Sequence, residues 1–203
     1  MSWISTPDED AIGDAGAAYE RDRAALGYVA NYTRVFATRP AVLAAWEELN
    51  GAIKASMDLR RYELATLAAA LRLRSSYCSL GHGQVLAQTF VGAHAIRGIV
   101  LDPQSAALAP VELAVMALAD KVAAGAADMT EDDLSELRAL GVEDAEILDV
   151  VLAAAARCFF SSVLDAVGAQ PDAAFRDMDP AVREVLTVGR PIEAVPTELG
   201  ARD

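Results

Sequence analysis

No segment of this chain alternates apolar and polar residues with the period of two that a half-buried strand requires. Its apolar residues recur at helical spacing instead, and much of the apolar excess is alanine. Alanine has the highest helix propensity, and its small side chain lets helices approach closely. The sequence is 54% hydrophobic, which supplies a substantial core, and its 13 glycines and 8 prolines leave long helical runs unbroken. These features predict an all-α fold. A length of 203 residues allows one domain or two small ones.

Helix punctuation divides the chain. Residues 1–14 are polar and acidic and predict a loose N-terminal arm. Short helices are expected over residues 15–26 and 29–38, then one opened by Pro40 and running to about Ala55. Asp58 is placed to cap a helix over Leu59 to Arg74, and Ser75 or Ser76 to cap another that runs to Val91. A shorter helix over Ala93 to Val100 is stopped by Asp102-Pro103. Pro110 opens the next, Thr130 with Asp133 resembles a capping box, and Gly141 is a stop. A long apolar helix follows from Asp144 to Val167 and ends at Gly168. The helical domain therefore spans residues 15–170, and 171–203 form a C-terminal extension that wraps the surface or a neighbouring subunit.

An internal echo sets Leu59-x-x-x-Glu63-Leu64-Ala65 against Leu108-x-x-x-Glu112-Leu113-Ala114. It reads either as a duplicated helical unit or as chance similarity between two alanine-rich helices.

Charge narrows the function classes. The net charge of -13 and pI near 4.5 repel phosphate backbones and anionic lipid, so neither nucleic acid nor a membrane surface is expected as a partner. No apolar stretch long enough to span a bilayer is free of charges or breaks. Met1 to Asp10 lacks the basic flank and apolar core of a secretion signal, so a cytoplasmic location is expected. Two cysteines do not make a disulfide framework and are read as reduced. With two histidines and one usable cysteine there is no four-ligand zinc set, so neither metal nor cofactor is expected.

The chemistry-bearing residues cluster. Ser75, Cys78 and His82 stand at i, i+3 and i+7, along one face of a helix. A thiol reacts as its thiolate, and both a neighbouring imidazole and the positive end of a helix dipole favour that form. Glu63, on the preceding helix, would reach the far nitrogen of His82 if the two helices pack antiparallel, orienting the ring as a triad carboxylate does. Gly81 and Gly83 flank His82, and glycine within a helix costs about 1 kcal/mol against alanine. That cost implies a close approach there, by another helix or by a substrate. On spacing alone, a small core cysteine and a hydrogen-bonded interior histidine explain the pattern as well as an active site does.

The pattern Glu63, then Ser75-x-x-Cys78-x-x-x-His82 beginning twelve residues later, resembles the alkylhydroperoxidase D and carboxymuconolactone decarboxylase family, and particularly its peroxidase-related branch. The likeness extends over about residues 28–170, through Asn31-Tyr32-x-Arg34-Val35, Arg39-Pro40 and Leu137-Arg138-Ala139-Leu140-Gly141-Val142. It implies a helical bundle in which Cys78 is the peroxidatic thiol, His82 its base and Glu63 the orienting acid. The family's first, resolving cysteine falls on Ser75, which forms no disulfide. An external thiol would then resolve the sulfenic acid.

The resemblance implies a thiol-dependent oxidoreductase acting on a hydroperoxide or another small molecule. It also implies a homo-oligomer: a dimer, trimer or hexamer. Two alternatives stand beside it. One is a lyase like carboxymuconolactone decarboxylase, using His82 and Glu63 without the thiol. The other is a non-catalytic helical assembly.

The remaining residues are read more plainly. Cys158 is expected as a buried core cysteine and His94 as a surface residue or a charge at a helix C-terminus. Arg60, Arg61, Arg72 and Arg74 are either solvated helix ends and intersubunit ion pairs or an attractor of anionic substrate. Tyr77 walls a pocket or packs, and Trp46, Phe159 and Phe160 belong to core or interface.

Overall fold

A computed structural model describes residues 2–194. It contains ten α-helices among the described residues: α1 Gly13–Leu26, α2 Asn31–Phe36, α3 Pro40–Ser56, α4 Leu59–Arg72, α5 Ser76–Leu86, α6 Ala93–Leu101, α7 Pro110–Gly125, α8 Asp132–Ala139, α9 Asp144–Ala166 and α10 Pro180–Leu186. No strand occurs among them. Most boundaries follow the local chemistry. The Asp58 carboxylate accepts the Arg61 N–H at 3.0 Å to start α4, and Pro40 and Pro110 open α3 and α7. Asp133 accepts the Thr130 backbone N–H at 2.8 Å at the head of α8. Gly141 and Gly168 supply the positive φ that turns the chain beyond α8 and α9.

The core is organised around α4, which packs against α7, α5 and α9, while α7 also packs against α9. Residues 62–70 of α4 are buried without interruption, so the middle of this helix has no solvent face. Any polar group on it must find a partner inside the protein. Glu63 is such a group. Its sequence echo, Glu112, accepts the Ala109 N–H at 2.8 Å and pairs with Arg60, so it serves as a helix cap.

α9 is long and apolar enough to cross a membrane. Here it runs through the bundle, against α3, α4, α5, α7 and α8.

Several expectations change in three dimensions. The last turn before Gly92 widens to π geometry over Ala87–Val91, where regular helix was expected. His94 sits at the start of α6, exposed, which rules out a C-terminal helix charge and leaves the surface reading. The N-terminal arm is held down: Trp3 N–H donates to the Val167 carbonyl at 2.8 Å, and the Arg190 guanidinium lies 4.3 Å above the Trp3 ring. The C-terminal extension folds back on its own bundle and forms α10, a helix that a seven-residue run gives little periodicity to reveal. The Asp179 carboxylate caps it from Ala181 and Val182. Residues 195–203 of that extension, and Met1, lie outside the described residues.

Candidate active site

α5 follows α4 after a tight turn and packs back along it. This brings Glu63, in the interior of α4, to His82, on the second turn of α5. Nδ1 of His82 and Oε2 of Glu63 are 2.6 Å apart, and Glu63 is 1% exposed. Burial pushes the Glu63 carboxyl up, but the bond from His82 and the charge of Lys54, 3.3 Å from Oε1, outweigh it and hold the group below its ordinary range. Burial is also the main influence on His82, helped by the nearby positive charges of Arg157 and Lys54. Against the pull of Glu63, these bring its pKa down to about 4. The pair is therefore a carboxylate and a neutral imidazole. Nδ1 carries the hydrogen that Glu63 accepts, and Nε2 is left with its lone pair.

Cys78 is the third residue of α5, inside the first turn, where the helix dipole is positive. Its side chain is buried, but the sulfur is in polar company. The Ser161 hydroxyl lies 3.1 Å from Sγ and an Arg157 guanidinium nitrogen 3.6 Å away, both from α9. Among the described residues no hydrogen bond joins His82 to Cys78.

Cys78, His82, Glu63, Lys54 and Arg157 all line one cavity of about 490 Å³, walled largely by Trp46, Tyr62, Tyr77 and Phe160. Gly81 lines the same cavity with open space where a Cβ would stand, while at Gly83 a Cβ would come within 2.4 Å of Leu186 on α10. The close approach expected at these glycines is found at Gly83, where α10 lies against the helix; at Gly81 nothing stands within 4 Å of the Cβ position.

Tyr77 walls the cavity and donates its hydroxyl to Asp172 at 2.6 Å. Asp172 also accepts the Asn31 backbone N–H at 2.7 Å, and burial raises its pKa. This bond ties the C-terminal extension to the helix that carries Cys78.

Ser75 is placed apart from this group. It is fully buried at the head of α5 and does not line the cavity; its hydroxyl makes no close hydrogen bond but lies near enough to Asp165 to pull that carboxyl down against the effect of burial. Cys158 is half-buried on α9, which corrects the expectation of a core position. It does not line the cavity, and burial pushes its thiol up.

The arginine patch does not serve the cavity either. Arg60, Arg61 and Arg72 pair with Glu112, Glu146 and Asp120 within the chain, and Arg74 donates to the Val188 carbonyl. No group of three or more His, Cys, Asp or Glu side chains among the described residues is arranged to hold a metal.

Sequence reasoning missed Lys54, Arg157, Ser161 and Asp172. Arg157 did leave a signal. It is the one charged residue between Val150 and Phe160, and a charge there must face either solvent or a purpose-built partner.

The fold is that of the AhpD-like peroxidase-related proteins. The alkylhydroperoxidase AhpD core, an uncharacterized peroxidase-related protein from Ralstonia eutropha, superposes with a TM-score of 0.77 at 20% identity, over 86% of this chain and 94% of that one. An uncharacterized peroxidase-related protein from a Silicibacter species gives 0.78 at 19% identity, over 87% and 95%. The debrominase Bmp8 in complex with 2,3,4-tribromopyrrole gives 0.73 at 15% identity, over 90% and 96%. No family model matches the sequence, and no curated protein matches it.

Proposed function

We propose that this protein is a thiol-dependent oxidoreductase that reduces hydroperoxides through Cys78. The observation that carries this reading is the shared cavity: a sulfur with polar donors and a neutral imidazole backed by a carboxylate open onto the same space. The Cys78 thiolate attacks the terminal oxygen of the hydroperoxide, an S–O bond forms and the O–O bond breaks. Nε2 of His82, which holds no hydrogen in the resting site, takes the proton from the terminal oxygen of the hydroperoxide and passes it to the departing alkoxide, leaving Cys78 as a sulfenate that solvent protonates to the sulfenic acid. Glu63 keeps the ring in the tautomer that leaves Nε2 free.

With serine at 75 and Cys158 outside the cavity, the sulfenic acid is returned to thiol by an external reductant. Two small thiols are oxidised to a disulfide and one water is released. The same reading includes a homo-oligomer, for which the exposed Leu148, Leu152 and Phe159 of α9 offer apolar surface.

Peroxide consumption with a panel of thiol reductants tests the reading. Wild type should consume peroxide and Cys78→Ala should not. Equal rates in the two would remove the mechanism.

A debrominase in the same fold marks a second reading, and the aromatic walls of the cavity favour it. In it, the substrate is a flat aromatic ring rather than an alkyl hydroperoxide. Protection of Cys78 from alkylation by a small aromatic compound, without peroxide turnover, would support it.

A further inference from the structure

Arg157 is 4% exposed, and among the described residues no carboxylate forms an ion pair with it. Its Nε has no hydrogen-bond acceptor. A buried guanidinium without a counter-ion is expensive, so an anion belongs beside it. Aromatic faces supply part of the compensation: the guanidinium lies 5.8 Å from the Trp46 ring centre and 5.5 Å from that of Phe160. Two ionisable side chains lie beside it, the Tyr62 phenol, an uncharged acceptor at neutral pH, and Cys78 at 3.6 Å, and Ser161 contributes a second donor at 3.1 Å to the same sulfur.

His82 is placed for a different role. An imidazole that stabilises a thiolate does so as the imidazolium, and here burial and the charges of Arg157 and Lys54 keep the ring neutral. It also makes no hydrogen bond to the sulfur among the described residues.

We propose that Cys78 and Arg157 form the buried ion pair of this site, with Ser161 as second donor, so that α9 rather than His82 holds the sulfur in its reactive form. Arg157 is a positioning residue acting through Cys78. His82 is left free to handle the proton of the substrate. This division of labour rests on Cys78 being the reacting group, yet it does not depend on what the substrate is.

The test is the rate at which iodoacetamide alkylates Cys78 as a function of pH. It is measured on the full chain in a Cys158→Ser background, with the site assigned by mass spectrometry. Arg157→Met should slow alkylation at neutral pH by about tenfold or more and move the profile to higher pH, and Arg157→Lys should recover most of the rate. Ser161→Ala should slow it by about threefold, in keeping with loss of one donor to a charged group. His82→Asn should slow it less than Arg157→Met does.

Wild-type rates in Arg157→Met and Ser161→Ala, or a larger loss in His82→Asn, would overturn the proposal. If Arg157→Met does not fold, Arg157→Gln and Ser161→Ala decide in the same way, since an unchanged pH profile in both removes the pair. Peroxide consumption is read separately. A wild type that is inert to peroxide but shows this alkylation pattern would remove the peroxidase reading and keep the ion pair.

Discussion

Oε2 of Glu63 receives the Nδ1 hydrogen of His82 across 2.6 Å, linking the buried middle of α4 to the helix that carries the thiol. The bond does two things at once. It satisfies a carboxylate that would otherwise be stranded in the core, and it fixes which ring nitrogen faces the cavity.

Removing that carboxylate should therefore damage activity more than packing. Glu63→Gln keeps the size but loses the charge that fixes the tautomer, and peroxide turnover should fall about 100-fold. Steady-state peroxide consumption measures it, with thermal unfolding to show that the variant is folded. A loss of stability with undiminished turnover would mean the pair is structural.

The neutral state of His82 also sets a pH dependence. Its folded pKa, about 4, lies below the usual value of 6.5, so between these the unfolded chain binds a proton that the native state refuses. Stability falls as pH drops through that window. Glu63, with its pKa lowered below 4.5, adds a further loss in the same direction at lower pH. Denaturant unfolding of wild type and His82→Gln at a series of pH values from 7 to 4 should show a shallower decline in the variant. Parallel curves would contradict the burial argument.

Gly81 and Gly83 should respond oppositely to alanine. At Gly81 the new methyl meets open space, so Gly81→Ala should stabilise by up to about 1 kcal/mol through helix propensity while narrowing the cavity. At Gly83 the methyl runs into Leu186, and overpacking of about 1–3 kcal/mol should exceed that gain. Chemical denaturation of both variants gives the signs directly.

Tyr77→Phe removes the hydroxyl that Asp172 accepts at 2.6 Å and leaves a buried carboxylate with fewer donors. A loss of about 1–3 kcal/mol is expected. It should be accompanied by faster proteolysis of the C-terminal extension, because that bond anchors the extension to α5. Unchanged proteolysis would show that the extension's other contacts hold it without this bond.

Ser75 offers a gain-of-function test. It stands three residues before Cys78, at the head of the same helix. Ser75→Cys should form a disulfide to Cys78 after one turnover with peroxide, seen as the loss of two thiols in a Cys158→Ser background. Turnover should then depend less on the concentration of small thiols.

Local chemistry in the sequence determined the helices, because caps, prolines and glycines act within a turn or two. Asp58, Pro40, Pro110, Gly141 and Gly168 all end or begin helices where their chemistry requires. It also determined that Cys78 and His82 share a helix face, since spacing on one helix is a matter of arithmetic. Contacts between distant segments were decided by the tertiary structure alone. Arg157 and Ser161 stand 79 and 83 residues from the sulfur they touch, and nothing local in α9 says which neighbour its polar side chains will meet. The protonation of His82 was likewise beyond the sequence, because a pKa is set by burial and surrounding charge. Only the packing of α4 and α9 against α5, with Lys54 of α3 facing the same cavity, supplies those.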